Sequence, residues 1–209
     1  MSLGMMILTV VAVLVFCGLL QRVLDRMYLT DRAALLLIAA MVVGSLLPNV
    51  TLGPVSVNIG GALIPLGVCA YLFIRADEAL ERWRTLLGSV LTGAAVYGLS
   101  ILLPAEAEAL PIEPMLLYGI AAGAIAWLLG RSRRGAFICG VVGVMIADIT
   151  TAVVNWMQGI DQQLILGGAG LADAVVVSGV LAVLLCELVG ETVERMVRKR
   201  QTVKGGNHR

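Results

Sequence analysis

Histidine is all but missing from this chain: of 209 residues one is His, at position 208 in the C-terminal tail. Ser-His-Asp and Cys-His catalysis therefore have no base, and a histidine-based metal site has no ligands. Charge is scarce as well. Asp, Glu, Lys and Arg make up 14% of the residues, against roughly a quarter in soluble domains, which excludes an ordinary water-soluble surface. The four cysteines, Cys17, Cys69, Cys139 and Cys186, stand at unrelated spacings inside apolar sequence. Without a CxxC pair they read as small packing residues rather than zinc ligands. There is no GxxxxGK[ST] loop, and no strand pattern is read ahead of any glycine cluster, so a phosphate loop is not expected. No metal and no cofactor is expected. The net charge of +1 gives no footprint for nucleic acid.

What the chain has instead is apolar sequence, 59% of its residues, with a mean hydropathy of +0.96. Charged or Pro-rich punctuation divides it into seven stretches, 4–20, 33–47, 57–74, 86–103, 115–129, 136–156 and 164–190. Most approach the ~20 residues an α-helix needs to cross ~30 Å of hydrocarbon. Basic residues test the count independently, because Lys and Arg accumulate in cytoplasmic loops. All 15 fall after the first, third, fifth and seventh stretches, and the alternate loops "PNVTLGPVSV", "PAEAEALPIEP" and "NWMQGIDQQ" contain none. The expected fold is thus all-α: a polytopic bundle of seven transmembrane helices over residues 1–194, N-terminus outside and C-terminus in the cytoplasm. A basic, disordered tail is expected over 195–209. The charges follow the first stretch instead of preceding it, so that stretch reads as an uncleaved anchor. The setting is the cytoplasmic membrane of a prokaryote, with the lipid bilayer as the first partner.

Most carboxylates have an ordinary explanation. Asp25, Asp31, Asp77, Glu78 and Glu81 sit among arginines, where solvated ion pairs contribute little. Glu106, Glu108 and Glu113 lie in an outer loop, and Glu187, Glu191 and Glu194 come at the inner end of the last stretch, to be hydrated or to meet Arg195 and Arg198. Only Asp148 and Asp173 have apolar sequence on both sides. Asp148 precedes Trp156 by eight residues, ~12 Å of helical rise, and Asp173 follows Leu164 by nine, ~14 Å. On consecutive antiparallel helices this sets them at matching depth in the outer half of the bundle. An aspartate at a helix centre costs about 2.5 to 3.5 kcal/mol to insert, and no basic residue lies in the membrane to offset it. Relief has to come from a shared proton, hydrogen bonds, water or a cation.

The flanking residues suit a polar pocket. Thr151 and Asn155 follow Asp148 at i+3 and i+7 on one helical face, while Gly140, Gly143 and Ala147 form a small-residue surface. That surface serves oligomerisation and intrachain packing equally well. The run Gly167, Gly168, Ala169, Gly170 ahead of Asp173 is helix-averse, which points to an unwound or closely packed entry. A second such segment, with Asn58, Gly60, Gly61 and Pro65, opens the third stretch from the same side. Gly60 and Gly167 are 107 residues apart, so a parallel internal repeat and chance recurrence both remain open.

Two resemblances follow from these motifs. "VNIGGALIPLG", "GVMIAD" and "ILGGAGLADAV" together resemble a family of small prokaryotic membrane proteins filed as domain of unknown function 1614, whose last motif has a glycine where this chain has Ala174. That family carries no activity with it. The second resemblance, an Asp in one span and a Gly-rich segment ending in Asp in the next, is to the GxGD intramembrane aspartyl proteases of presenilin and prepilin-peptidase type. It implies a catalytic dyad of Asp148 and Asp173, with "GAGLAD" standing for GxGD and "ALIPL" echoing a Pro-Ala-Leu element. Here Gly170 stands three residues before Asp173, and the sixth span runs from inside to outside, opposite to presenilin. The expected activity is cleavage of a transmembrane peptide. The alternatives are proton- or cation-coupled transport of a small solute, and a scaffold held by a hydrogen-bonded Asp pair.

Overall fold

The computed structural model describes residues 25, 27–76, 78–103, 114–129 and 132–205. The first expected stretch, 4–20, and Asp77, Glu106, Glu108 and Glu113 lie outside them. The other six stretches each contain a helix: α1 Asp31–Ser45, α2 Ile64–Ile74, α3 Ala79–Leu102, α4 Pro114–Leu129, α5 Arg133–Met157 and α6 Ala174–Gly205, which continues into the basic tail. Three of them, α3, α5 and the segment Ala174–Val193 of α6, are long and apolar enough to cross a bilayer, with mean hydropathies of 1.7, 2.2 and 2.1. The chain is a helical membrane protein on those grounds. Its exterior agrees, since Trp83, Leu128 and Leu188 stand exposed while Thr85, Ser89, Thr92 and Ser178 are buried.

Small residues let the helices approach closely, as the sequence pattern requires. A methyl group added to Gly140 of α5 would sit 2.6 Å from the Cα of Gly179 on α6. Gly143 abuts Thr92 of α3, and Gly119 and Gly123 of α4 abut Leu181 and Leu185 of α6. These contacts are intrachain packing of the kind that substitutes for the hydrophobic effect in lipid.

Two parts of the chain depart from the helical expectation. The loop after α1 is a hairpin, β1 Val50–Leu52 and β2 Val55–Val57, turning at Gly53 with φ +60°. The loop after α5 ends in β3 Leu164–Leu166, which pairs parallel with β2, Val55 opposite Leu164 and Val57 opposite Leu166. The absence of strands before the glycine clusters is therefore corrected: β2 runs into "NIGGA" and β3 into "GGAG". Alternation over three residues is too short to register against an apolar background. Their pairing needs a partner 109 residues away in sequence.

The same strand corrects the start of the last helix. α6 begins at Ala174, not Leu164, because Gly167 and Gly170 hold φ of +68° and +62° and a short 3₁₀ turn, Gly170–Ala172, precedes the helix. Left-handed backbone breaks a helix and favours glycine. The helical-rise estimate of depth accordingly does not apply to Asp173. α2 is broken in a parallel way. Ile59–Leu63 is a π-helical turn, in which the N–H groups of Leu63 and Ile64 donate to carbonyls five residues back, and Pro65 stands at the start of α2. Proline has no N–H to give and its ring crowds the carbonyl four residues earlier, so a widened turn relieves the strain.

Candidate functional site

The two broken segments meet. A methyl on Gly61 would lie 2.6 Å from the carbonyl oxygen of Gly170 and closer still to that of Gly167, and one on Gly167 would lie 2.6 Å from the amide nitrogen of Ala62. Gly60 faces Met41 and Ser45 at the end of α1, and Gly170 faces Ser45 Oγ. The Gly61 and Gly167–Gly170 backbones thus cross with no side chain between them, and Ser45 of α1 fits against both segments. Asn58, 4% exposed, fixes one arm: its Oδ1 accepts from the Gly61 amide at 2.8 Å, and its Nδ2 donates to Asn49 Oδ1 at 2.8 Å. Its own amide donates to the Leu166 carbonyl at 2.9 Å, continuing the β2–β3 ladder into the crossing. Gly168 is exposed.

Asp173 fixes the other arm. Its backbone is extended, and its carbonyl accepts the first helical bond of α6, from Val177 at 3.0 Å. One carboxylate oxygen accepts from the Val175 amide at 3.0 Å and the other from the Ala169 amide at 3.1 Å. Asp173 therefore caps the helix and closes the Gly-rich turn together. An acidic cap also meets the positive end of the helix dipole.

Asp148 is differently situated. It is half-buried on α5, within electrostatic reach of Asp173, and Tyr118 of α4 in turn lies within reach of Asp148. Among the described residues no hydrogen bond or ion pair to its carboxyl group is seen. The two side chains expected to share its pocket have hydrogen-bond partners of their own. Thr151 Oγ1 donates to the Ala147 carbonyl of its own helix at 2.9 Å, and Asn155 Nδ2 donates to Gln162 Oε1 at 3.0 Å, where Trp156 Nε1 also holds the Gln162 carbonyl at 2.8 Å. Asn155 thus shapes the α5–β3 loop. The structure brings together Asn58, Gly60, Gly61, Gly167, Gly170 and Asp173 at the crossing, and sets Asp148 within reach of its acidic member; Pro65 is buried at the start of α2. Tyr118 and Ser45 went unread in the sequence. Tyr118 is the only tyrosine of its stretch, but nothing in the sequence says that α4 faces Asp148.

The opposite end of the bundle holds a second polar cluster. Glu81 of α3 accepts from Ser132 Oγ and from Arg134 at 3.1 Å; Arg134 also donates to the Arg75 carbonyl at 2.9 Å and covers the Tyr28 ring. Glu187 pairs with Arg133 at 2.6 Å, with side-chain exposures of 21% and 13%. This corrects the sequence-based expectation for Glu187. Its partner is on the preceding helix, because α5 and α6 are antiparallel and pack along their length. Among the described residues no group of three or more His, Cys, Asp or Glu side chains could hold a metal ion.

Fold and site together define a helical membrane protein in which the broken entries of two helices cross, with Asp173 capping one of them. The model of the family described as "Protein of unknown function (DUF1614)" matches residues 28–185, from the residues just before α1 into α6, and the chain belongs to that family. No curated protein and no solved structure matches it.

Proposed function

We propose that the protein is an intramembrane aspartyl-type peptide hydrolase, with Asp148 and Asp173 as its acid and base. The observation that carries this reading is the place of Asp173 at the end of the turn that crosses the opening of α2, with Asp148 of the neighbouring helix α5 within electrostatic reach. In such a pair one carboxylate takes a proton from water as the oxygen attacks the peptide carbonyl, and the other carboxyl gives a proton to the carbonyl oxygen. The sheet supports the reading further. β3 is an edge strand in the order β1-β2-β3 among the described residues, and it runs directly into the turn that ends at Asp173. An extended substrate segment adding to that edge would be led to the acids. The setting proposed is seven spans in the prokaryotic cytoplasmic membrane, N-terminus outside and C-terminus inside, with a transmembrane peptide as substrate. The segregation of Lys and Arg supports that orientation.

One observation favours a second reading. Broken helices whose N-terminal ends meet near an intramembrane acid also suit proton- or cation-coupled transport of a small solute. The two separate in liposomes containing the purified protein. Hydrolysis requires cleavage of a single-span peptide, lost in both Asp148→Asn and Asp173→Asn while folding and insertion persist. Failure to cleave any candidate, with proton-dependent uptake lost in Asp173→Asn, would decide for transport. Full activity in both variants would remove the site.

A further inference from the structure

The polar cluster at the end of the bundle away from Asp173 encloses space. A cavity of about 190 Å³ lies where the first turns of α3, the last turn of α4 and the first turns of α5 meet. Its inner wall is mostly apolar, with Ala126 of α4 and Cys139 of α5 buried and Leu129 half-buried beside them. Thr85, 6% exposed, adds one hydroxyl, and a methyl on Gly135 would crowd that oxygen at 3.0 Å. The outer wall is charged. Glu78 and Arg84 of α3 line the cavity and are exposed.

Much of the charge around this cavity is already answered. Glu81 accepts from Arg134 and Ser132, Arg133 pairs with Glu187, and Arg82 donates to the Ile74 and Ala76 carbonyls. Arg84 and Glu78 differ: neither side chain has a hydrogen bond or ion pair among the described residues. Six residues apart, they miss the i+3 and i+4 spacings at which helical side chains meet. Glu81 stands three residues from each, but its carboxylate is held at the start of α5. A ligand that carries both signs of charge would bridge the pair.

The neighbouring surface says what kind of ligand that is. Trp83, beside Arg84 in sequence, is 71% exposed, and tryptophan in a membrane protein favours the headgroup level. Leu87, one turn further along α3, and Leu128, next to Leu129, are exposed apolar side chains of the kind that faces lipid. We propose that the cavity binds the headgroup of a zwitterionic aminophospholipid, a phosphate next to a primary ammonium. The Arg84 guanidinium donates to the phosphate oxygens and the ammonium donates to the Glu78 carboxylate, both charge-assisted contacts. The glycerol end lies against Ala126 and Leu129, and the acyl chains pass over Leu87 and Leu128 into the bilayer. A lipid with a phosphate and no ammonium would leave Glu78 unanswered beside a second negative charge. The site is remote from Asp173 and does not depend on either reading of the acidic pair.

The test is native mass spectrometry of the purified full-length protein, released from detergent that carries equal amounts of phosphatidylethanolamine, phosphatidylcholine and phosphatidylglycerol. One phosphatidylethanolamine should be retained in preference to either of the others. Arg84→Ala should lower its retention by about tenfold, the loss of one charge-assisted contact, and Glu78→Gln should erase the preference over phosphatidylglycerol. Neither side chain holds a contact in the fold, so both variants should melt with the native protein. Equal retention of the three lipids by the native protein, undiminished retention in Arg84→Ala, or an unchanged preference in Glu78→Gln would each overturn the proposal. If Arg84→Ala does not purify, Glu78→Gln decides alone. Displacement of the lipid by soluble phosphoethanolamine at matching concentration would make the free headgroup the ligand and overturn the lipid assignment. Asp148→Asn should retain the lipid as the native protein does, so failure of the hydrolytic reading leaves this result standing.

Discussion

Replacing Gly61 with alanine should damage the protein, because the added methyl group meets only backbone. The added carbon would lie 2.6 Å from the Gly170 carbonyl oxygen and 2.9 Å from the Gly170 Cα, with the Gly167 carbonyl oxygen nearer still, whereas ordinary contact begins at 3.4 Å. Every one of these neighbours is backbone, so no rotamer change can yield. Overpacking of this kind costs typically 1 to 3 kcal/mol, and with rigid neighbours the upper end applies, about 3 kcal/mol. For a chain of this size that corresponds to a fall in Tm on the order of 10 °C. Gly67→Ala is the internal control, because a methyl there meets nothing within 4 Å and alanine is the better helix former by up to ~1 kcal/mol. Both variants are measured by thermal unfolding of the purified protein in one detergent. A Gly61→Ala protein that melts with Gly67→Ala would refute the close crossing of the two broken helices. It would also remove the reason for glycine at both positions.

Three further outcomes follow from the geometry. Asp173→Ala loses both amide contacts of the cap and should cost roughly 1 to 2 kcal/mol, while Asp173→Asn keeps an acceptor for the Val175 amide and should unfold close to the native temperature; equal loss in the two would deny the capping role. The Arg133–Glu187 pair is mostly shielded, so a double-mutant cycle with alanine at each position should give a coupling between the ~1 kcal/mol of exposed pairs and the ~3 to 5 kcal/mol of breaking buried ones. A coupling near zero would mean the pair is solvated. Single cysteines introduced in "PAEAEALP" should be modified from the exported side and those in "RSRRG" spared; exported labelling at Ser132→Cys would defeat the seven-span orientation.

Composition and periodicity alone determined the class of protein, because a 59% apolar chain with its charges confined to short connections has few ways to satisfy its backbone except as helices in lipid. The positions of α1, α4 and α5 follow the apolar stretches closely, whereas α2 starts seven residues after its stretch and α3 seven before, and the glycine clusters announced the two breaks and the close helix contacts. Asp148 and Asp173 stood out for the same reason, being the only acids flanked on both sides by apolar sequence. Tertiary structure decided what those signals could not. The sheet depends on pairing between Val55 and Leu164, a contact without local signature, and it moves the start of α6 from Leu164 to Ala174. That shift turns Asp173 from a mid-helix acid into a helix cap. Asn155 shares a helical face with Asp148, yet the neighbour its side chain meets is set by the loop that follows α5, and it pairs with Gln162. Local sequence governs which backbone conformations are affordable, whereas the partner of a polar side chain is chosen by whatever the fold brings within hydrogen-bond distance.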